Sequence, residues 1–282
     1  MFKFYTLIML SIIVFDGFCK DRIIKIPDKA LKLKLLTYVN IDTNNDLEIS
    51  ENEALQVKNL YLSCNSWYCD SLKYTDESIK SAEGLQFFRN LEELDVTSQS
   101  LQKLDLSSFK KLQRVWCGNN RLTELNVSGL TQLKVLECRL NKIQNLNTID
   151  LISIQYLSCP YNEIPVLDLS NSHNLTDLIC KENRINKLSF CQEKIKQLSI
   201  SNNKIDTLNL DSCFNLEDLY CAGNPLQSLY IPSKKIKSIE LKDMPNLQYI
   251  CIDKDVYSDL QRSIYYYYYS NNKFEVKTDC SN

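Results

Sequence analysis

From Leu91 onward, one arrangement of apolar and polar positions returns along the chain. It restarts at Leu112, Leu133, Ile154 and Leu175 in steps of 21 residues, then at Ile195, Leu216 and Ile236 in steps of 20, 21 and 20. Each unit opens on a phrase such as LQRVWCGNNRL, LKVLECRLNKI or IKQLSISNNKI, read as L-x-x-L-x-(C/V/I)-x-x-(N/Q)-x-(L/I). A fixed period of about 20–50 residues marks an architecture of stacked repeats. The last unit, IKSIELKDMPN, is weaker, and a partial unit, VKNLYLS, leads in from Val57.

The spacing predicts the elements. Alternation at unit positions 4, 5 and 6, as in Leu94, Asp95 and Val96, is strand periodicity with one face in and one face out. A strand this short cannot bury its apolar face alone, so neighbouring units must stack and share a continuous core. Position 9 carries Asn120, Asn141, Asn162, Asn183, Asn203 and Asn224 in register. An Asn amide satisfies backbone groups that have left a ladder, so six in register predict a turn stacked from coil to coil. Position 14 repeats Leu104, Leu125, Leu146, Leu167, Leu188, Leu208 and Leu229, which are expected to close each coil from its back wall.

These units resemble leucine-rich repeats. The run Ile79-Lys-Ser-Ala-Glu-Gly-Leu-Gln-Phe-Phe-Arg-Asn-Leu91 resembles the first-repeat phrase of secreted, internalin-like bacterial proteins. The resemblance covers residues 26 to 282. It implies an α/β-type curved solenoid with a parallel β-sheet on its concave side and a capping segment at each end. The expected organisation is a signal peptide at 1–19, a small helical N-terminal cap at 20–56, repeats at 57–250 and a disulfide-tied C-terminal cap at 251–282. Such a fold serves many ligands and does not name one.

The N-terminal cap contains a calcium-like loop. Residues 42 to 53 read DTNNDLEISENE, which places Asp42, Asn44, Asp46, Glu48 and Glu53 at EF-hand positions 1, 3, 5, 7 and 12. The resemblance favours this reading, because similar proteins carry a D-x-N-x-D-G-x-I-x-x-x-E segment before their first repeat. Leu47 departs from the pattern, since a glycine is expected there for the sharp turn. The competing reading is a plain helical cap in which Ser50 and Glu53 form a capping box. Bound calcium would stiffen the cap rather than serve catalysis.

The first residues look like an address. Lys3 precedes the apolar run Phe4 to Phe15, and Gly17 and Cys19 supply small residues before a cleavage point. Twelve apolar residues are too few to span a bilayer, which takes about 20. The expected location is secreted or cell surface, the alternative being a lipoprotein anchored at Cys19.

Export changes how the 12 cysteines are read. Cys117, Cys138, Cys159, Cys180 and Cys221 occupy position 6, shared with Val96, Ile200 and Leu241, and so are expected to be buried free thiols. Outside that ladder, proximity in sequence favours Cys64–Cys69, Cys191–Cys213 and Cys251–Cys280, although six cysteines allow 15 connectivities. The resembling proteins show a similar late cysteine pair.

Composition removes several functions. With 33 Lys and Arg against 35 Asp and Glu there is no basic excess to bind nucleic acid. Five glycines build no phosphate-cradling loop, and the single histidine, His173, has no nucleophile motif around it.

Positions 3, 5 and 7 are expected to project from the concave sheet. There Trp116, Val135 and Tyr156 fall on adjacent coils, flanked by Arg114 and Arg139. Clustered Trp, Tyr and Arg are the usual composition of a binding hot spot. A second candidate is the loop Cys64 to Cys69 with Trp67 and Tyr68 at its tip. The combined reading is an exported, non-enzymatic protein that recognises a surface protein or glycan through this face. The alternatives are a structural envelope or matrix component with a calcium-stiffened cap, and a carboxylate-based glycan hydrolase.

Overall fold

The computed structural model describes residues 21–38, 41–63, 78–191, 193–260 and 274–278. The signal-like segment, the Cys64 to Cys69 loop and Cys280 lie outside the described residues. So does the tyrosine run Tyr265 to Tyr269, which sequence reading assigns to the C-terminal cap.

The repeats stack as a leucine-rich-repeat solenoid. Strands from the partial unit and the eight full units pair into a nine-stranded sheet that runs from Asn59–Tyr61 to Ser238–Glu240. Neighbours are parallel and in unit register, as in Arg114↔Val135↔Tyr156 and Trp116↔Glu137↔Ser158. Each strand buries position 4, and position 6 turns inward after it: Leu94, Val115, Leu136, Val96, Cys117 and Cys138 are all buried. Short parallel pairings on the back wall complete the coil, for example Lys103–Asp105 with Glu124–Asn126 and Val166–Leu169 with Lys187–Phe190. The position 14 leucines sit in that wall. Leu104, Leu125, Leu146, Leu167 and Leu229 are buried, while Leu188 and Leu208 pack partly exposed against the core.

The turn after each concave strand is held by the asparagine at position 9. The Asn141 side-chain amide donates to the Cys138 carbonyl of its own coil (3.1 Å) and to the Cys117 carbonyl one coil back (3.0 Å). Its Oδ1 accepts the Leu122 N–H at 2.9 Å. Asn162, Asn203 and Asn224 repeat the pattern. The residue just before it, position 8, is left-handed in every coil: Ser98, Asn119, Leu140, Tyr161, Glu182, Asn202, Gly223 and Asp243 all have φ between 52° and 66°. Most of these are not glycine, so the strain is tolerated because the asparagine ladder fixes the turn on both sides.

At the N-terminal end, helix α1 (Lys29–Tyr38) and helix α2 (Glu51–Gln56) cover the open core. Asp28 caps α1 through the Leu31 N–H (2.9 Å), and its other oxygen accepts the N–H groups of Lys80 and Ser81, which ties the cap to the segment leading into the first full coil. In that coil position 9 is Gln99 rather than Asn. The buried Lys34 of α1 reaches in to complete the ladder, donating to Gln99 Oε1 (3.0 Å) and to the Leu62 carbonyl (3.2 Å). Burial lowers the Lys34 pKa, against an opposing pull from Asp28. At the other end, Tyr249–Ile252 spans the 250/251 boundary expected from sequence and pairs with Ser228–Ile231 and Glu275–Lys277. Among the described residues, no helix is long and apolar enough to cross a membrane.

Candidate binding face

The candidate site lies on the concave sheet at its N-terminal half. Tyr61, Asp95, Thr97, Trp116, Glu137 and Arg139 enclose a depression of about 340 Å³. Trp116 stands between the acidic side chains of Asp95 and Glu137, one coil to either side in register. Gly118 makes room beside it, because a Cβ there would come within 2.9 Å of both Glu137 carboxylate oxygens. Burial raises the Glu137 pKa, with Asp95 adding to the effect, while the Arg139 N–H and guanidinium act in the opposite direction. Arg139 Nε pairs with Glu137 Oε1 at 3.2 Å.

The cluster's rim is already organised by charge. Arg114 bonds Glu93, which also accepts the Tyr61 hydroxyl. These two bonds hold the Glu93 carboxyl below its ordinary range, the Arg114 contribution being the larger. Val135 and Tyr156 continue the Arg114 row on the next two strands, both half-buried. The five residues expected to form the patch are therefore brought together: Arg114, Val135 and Tyr156 in one row, with Trp116 and Arg139 beside it. Sequence reasoning did not identify Tyr61, Asp95, Glu93 and Glu137. Asp95 and Glu137 share position 5 with Trp116, as does Tyr61 in the leading partial unit, while Glu93 shares position 3 with Arg114.

The calcium-like loop is arranged around its own hydrogen bonds. Asp42 accepts the N–H groups of Asp46 and Leu47, Asn44 that of Asp46, and Asp46 that of Glu48. Glu48 pairs with Lys32 at 2.7 Å. Glu53, the residue expected to chelate with both oxygens, places one on Thr43 (2.8 and 2.9 Å) and the other on Ser50 (2.9 Å, twice). The capping box is complete. Burial works to raise the Glu53 pKa, but these four hydrogen bonds outweigh it and bring it down to about 2. Leu47 takes the left-handed turn with φ of 63° and its side chain exposed. Among the described residues no group of three or more Asp, Glu, His or Cys converges as metal ligands. Both Glu53 oxygens are thus engaged by Thr43 and Ser50.

The cysteine ladder is present: Cys117, Cys138, Cys159, Cys180 and Cys221 are free thiols without exposure. Burial pushes all of them up, Cys159 and Cys221 to about 12. The expected Cys191–Cys213 bond is not formed, since both are free thiols. Cys213 is fully buried at unit position 19, where other coils carry Phe109, Leu130 and Leu151, and packs as one more core residue. Cys191 is half-buried, its Sγ 3.3 Å from His173 Nδ1, and lies near enough to add to the rise of the Cys213 pKa, which burial chiefly causes. Reading position 19 across the units would have placed Cys213 in the core. Cys251 is disulfide-bonded, with its partner outside the described residues.

Solved structures share this architecture. The functional domain of InlJ from Listeria monocytogenes, which includes a cysteine ladder, matches with a TM-score of 0.64 and 26% identity over 73% of this chain and 46% of that one. YopM from Yersinia pestis, a leucine-rich effector protein, matches with a TM-score of 0.54 and 21% identity, covering 67% of this chain and 49% of that one. The APL1 leucine-rich repeat domain matches with a TM-score of 0.56 and 16% identity, covering 74% and 60%. The chain thus spans less than half the length of the InlJ and YopM structures. No protein-family model and no curated protein sequence matches it.

Proposed function

We propose that this is an exported, non-enzymatic binding protein that recognises a protein partner through the N-terminal half of its concave face. The observation that carries this is Trp116, held half-buried between Asp95 and Glu137 in a depression whose rim is fixed by the Arg114–Glu93–Tyr61 chain. An aromatic anchor in a pre-arranged charged surround loses little entropy on docking. The open, shallow face supports recognition of a broad surface rather than water-excluding catalysis. Likeness in fold to YopM and InlJ is consistent with such a role. The signal-like N-terminal run supports export, and the Cys251 bond supports an oxidising destination, with Cys280 as the partner the tail offers.

The test is comparative capture. Wild-type protein and a Trp116→Ala/Tyr156→Ala variant are immobilised beside a back-wall control, Lys103→Ala/Glu124→Ala. The expected result is a retained protein that the patch variant loses at least tenfold and the control keeps, with all three melting alike. Equal capture by the patch variant overturns the assignment. Unfolding of that variant overturns the placement of Trp116 and Tyr156 as surface groups.

A further inference from the structure

The Trp116 depression has a charge and a shape that narrow what it takes up. Position 5 of the first four strands alternates ring and carboxyl: Tyr61, Asp95, Trp116 and Glu137 lie side by side in register. Neighbouring strands are about 4.8 Å apart, so each ring has an acid at its flank. Further along the row Ser158 and Ser199 break the alternation, and Tyr220 has an acid, Glu240, on one side only. Trp116 is thus the one ring of this row with a carboxylate on both sides.

The protein's own cations do not use these acids up. Asp95 accepts the Ser63 hydroxyl (2.6 Å) and the Thr97 N–H (2.8 Å), both neutral donors, and has no ionic partner among the described residues. Arg139 brings its backbone N–H and its Nε to the same Glu137 oxygen, Oε1, each at 3.2 Å. Of the residues lining the depression, Asp95 and Glu137 stand against Arg139 alone, so one negative charge is left over, and the adjoining Arg114–Glu93 pair is neutral. Burial and the nearby Asp95 both raise the Glu137 pKa, and an added cation offsets both. Trp116 has no cation over its ring: among the described residues such contacts are made at Phe87, Tyr161 and Tyr249. An open indole face between two carboxylates favours a flat cation. A guanidinium stacks on the ring and turns its edge N–H groups toward acids on either side, whereas an ammonium concentrates its charge at one point. The volume of about 340 Å³ lies at the small end of ligand sites, which suits one side chain.

Resting on the protein-recognition reading above, we propose that the depression takes up one arginine side chain of the partner, its guanidinium against Trp116 and its N–H groups donating to Asp95 and Glu137.

The experiment follows the indole N–H signals of the two tryptophans by heteronuclear NMR on the full chain, with Trp116→Phe assigning them. N-acetyl-arginine N-methylamide is titrated at constant ionic strength, beside the lysine derivative and the citrulline derivative, which keeps the shape of arginine without its charge. The Trp116 signal is expected to shift saturably with arginine, with Kd on the order of 10 mM for so few contacts. Lysine is expected to bind about threefold more weakly, and citrulline not at all. Asp95→Asn is expected to weaken arginine binding about tenfold with the melting temperature held, because the amide keeps the bonds to Ser63 and Thr97 and removes only the charge. Glu240→Gln, at the far end of the same row, is expected to bind as wild type does. If Asp95→Asn unfolds, Glu137→Gln takes its place. The proposal is overturned by no saturable shift with arginine, by equal affinity for lysine or citrulline, or by unchanged affinity in the charge-removing variant. Comparative capture separates this from the wider reading. A partner lost by Trp116→Ala/Tyr156→Ala but kept in full by Asp95→Asn overturns the arginine pocket alone. Arginine binding by a protein whose patch variant captures as wild type does overturns the recognition role instead.

Discussion

Asn141 and Asn162 share one acceptor, and this makes their removal non-additive. The Cys138 carbonyl receives hydrogen bonds from the Asn141 amide at 3.1 Å and the Asn162 amide at 3.0 Å. Asn141→Ala strips the buried Leu122 N–H of its acceptor, but leaves the Cys138 carbonyl with Asn162 and the Cys117 carbonyl with Asn120. One orphaned buried N–H costs about 1–3 kcal/mol, and each weakened shared bond adds about 0.5–1.5 kcal/mol. Asn141→Ala, with one orphaned N–H and two weakened shared bonds, is therefore expected to lose ~2–6 kcal/mol, and Asn162→Ala about the same through Ile143. In the double variant the Cys138 carbonyl loses both donors, adding about 1–3 kcal/mol beyond the sum. Asn120 and Asn203 share no acceptor, so their double variant should be additive within about 0.5 kcal/mol. Urea denaturation followed by far-ultraviolet circular dichroism measures all six variants. Additivity of the Asn141/Asn162 pair within that margin would refute the shared-acceptor account.

Three further outcomes are expected. Leu140→Asn should raise stability by about 0.5–1 kcal/mol, because it relieves a left-handed leucine at a position where the coil before it already carries Asn119, and thermal melting reads the gain. Glu53 is held at about 2 against an ordinary value of 4.5, so its contribution is fully present above about pH 5 and is lost as pH falls toward 2. An acid titration should show the cap loosening over that window, less so in Glu53→Gln, which is already destabilised at neutral pH; in the wild type, calcium against a chelator should leave the melting temperature unchanged. The ladder thiols should resist iodoacetamide in the native state and all five should react in denaturant, while the half-buried Cys191 reacts first. Rapid native labelling of Cys138 or Cys159 would contradict their burial.

Much of the fold was legible because the repeat forces one chemistry onto one place many times over. Leucine at position 4, cysteine at position 6 and asparagine at position 9 each mean the same thing in every coil, and register averages out local ambiguity. The left-handed position 8 was not legible. Ser98, Leu140, Tyr161 and Glu182 have nothing in common as side chains, since only the backbone conformation is shared. Cys213 was misread because pairing was judged by distance along the chain, whereas its unit position places it among Phe109, Leu130 and Leu151. The aromatic and basic members of the patch were visible as outliers in composition. The acids that frame Trp116 were not, because Asp and Glu are ordinary on any exposed strand and acquire meaning only when neighbouring coils set them side by side.

The shared carbonyls also bear on how the molecule yields under load. A coil at the end of the stack has a neighbour on one side only, and each coil's asparagine is fastened both to itself and to the one before it. Once the C-terminal strands Glu275–Lys277, Tyr249–Ile252 and Ser238–Glu240 have come away, tension applied at the C-terminus meets the Asn224 clasp on Ile200, then Asn203 on Cys180, then Asn183 on Cys159, in sequence. Each release frees one coil of 21 or 20 residues, about 70 Å of extended chain. The solenoid is built to come apart as a zip fastener does, tooth by tooth from a free end, with the N-terminal cap and its Lys34 bolt as the closed stop.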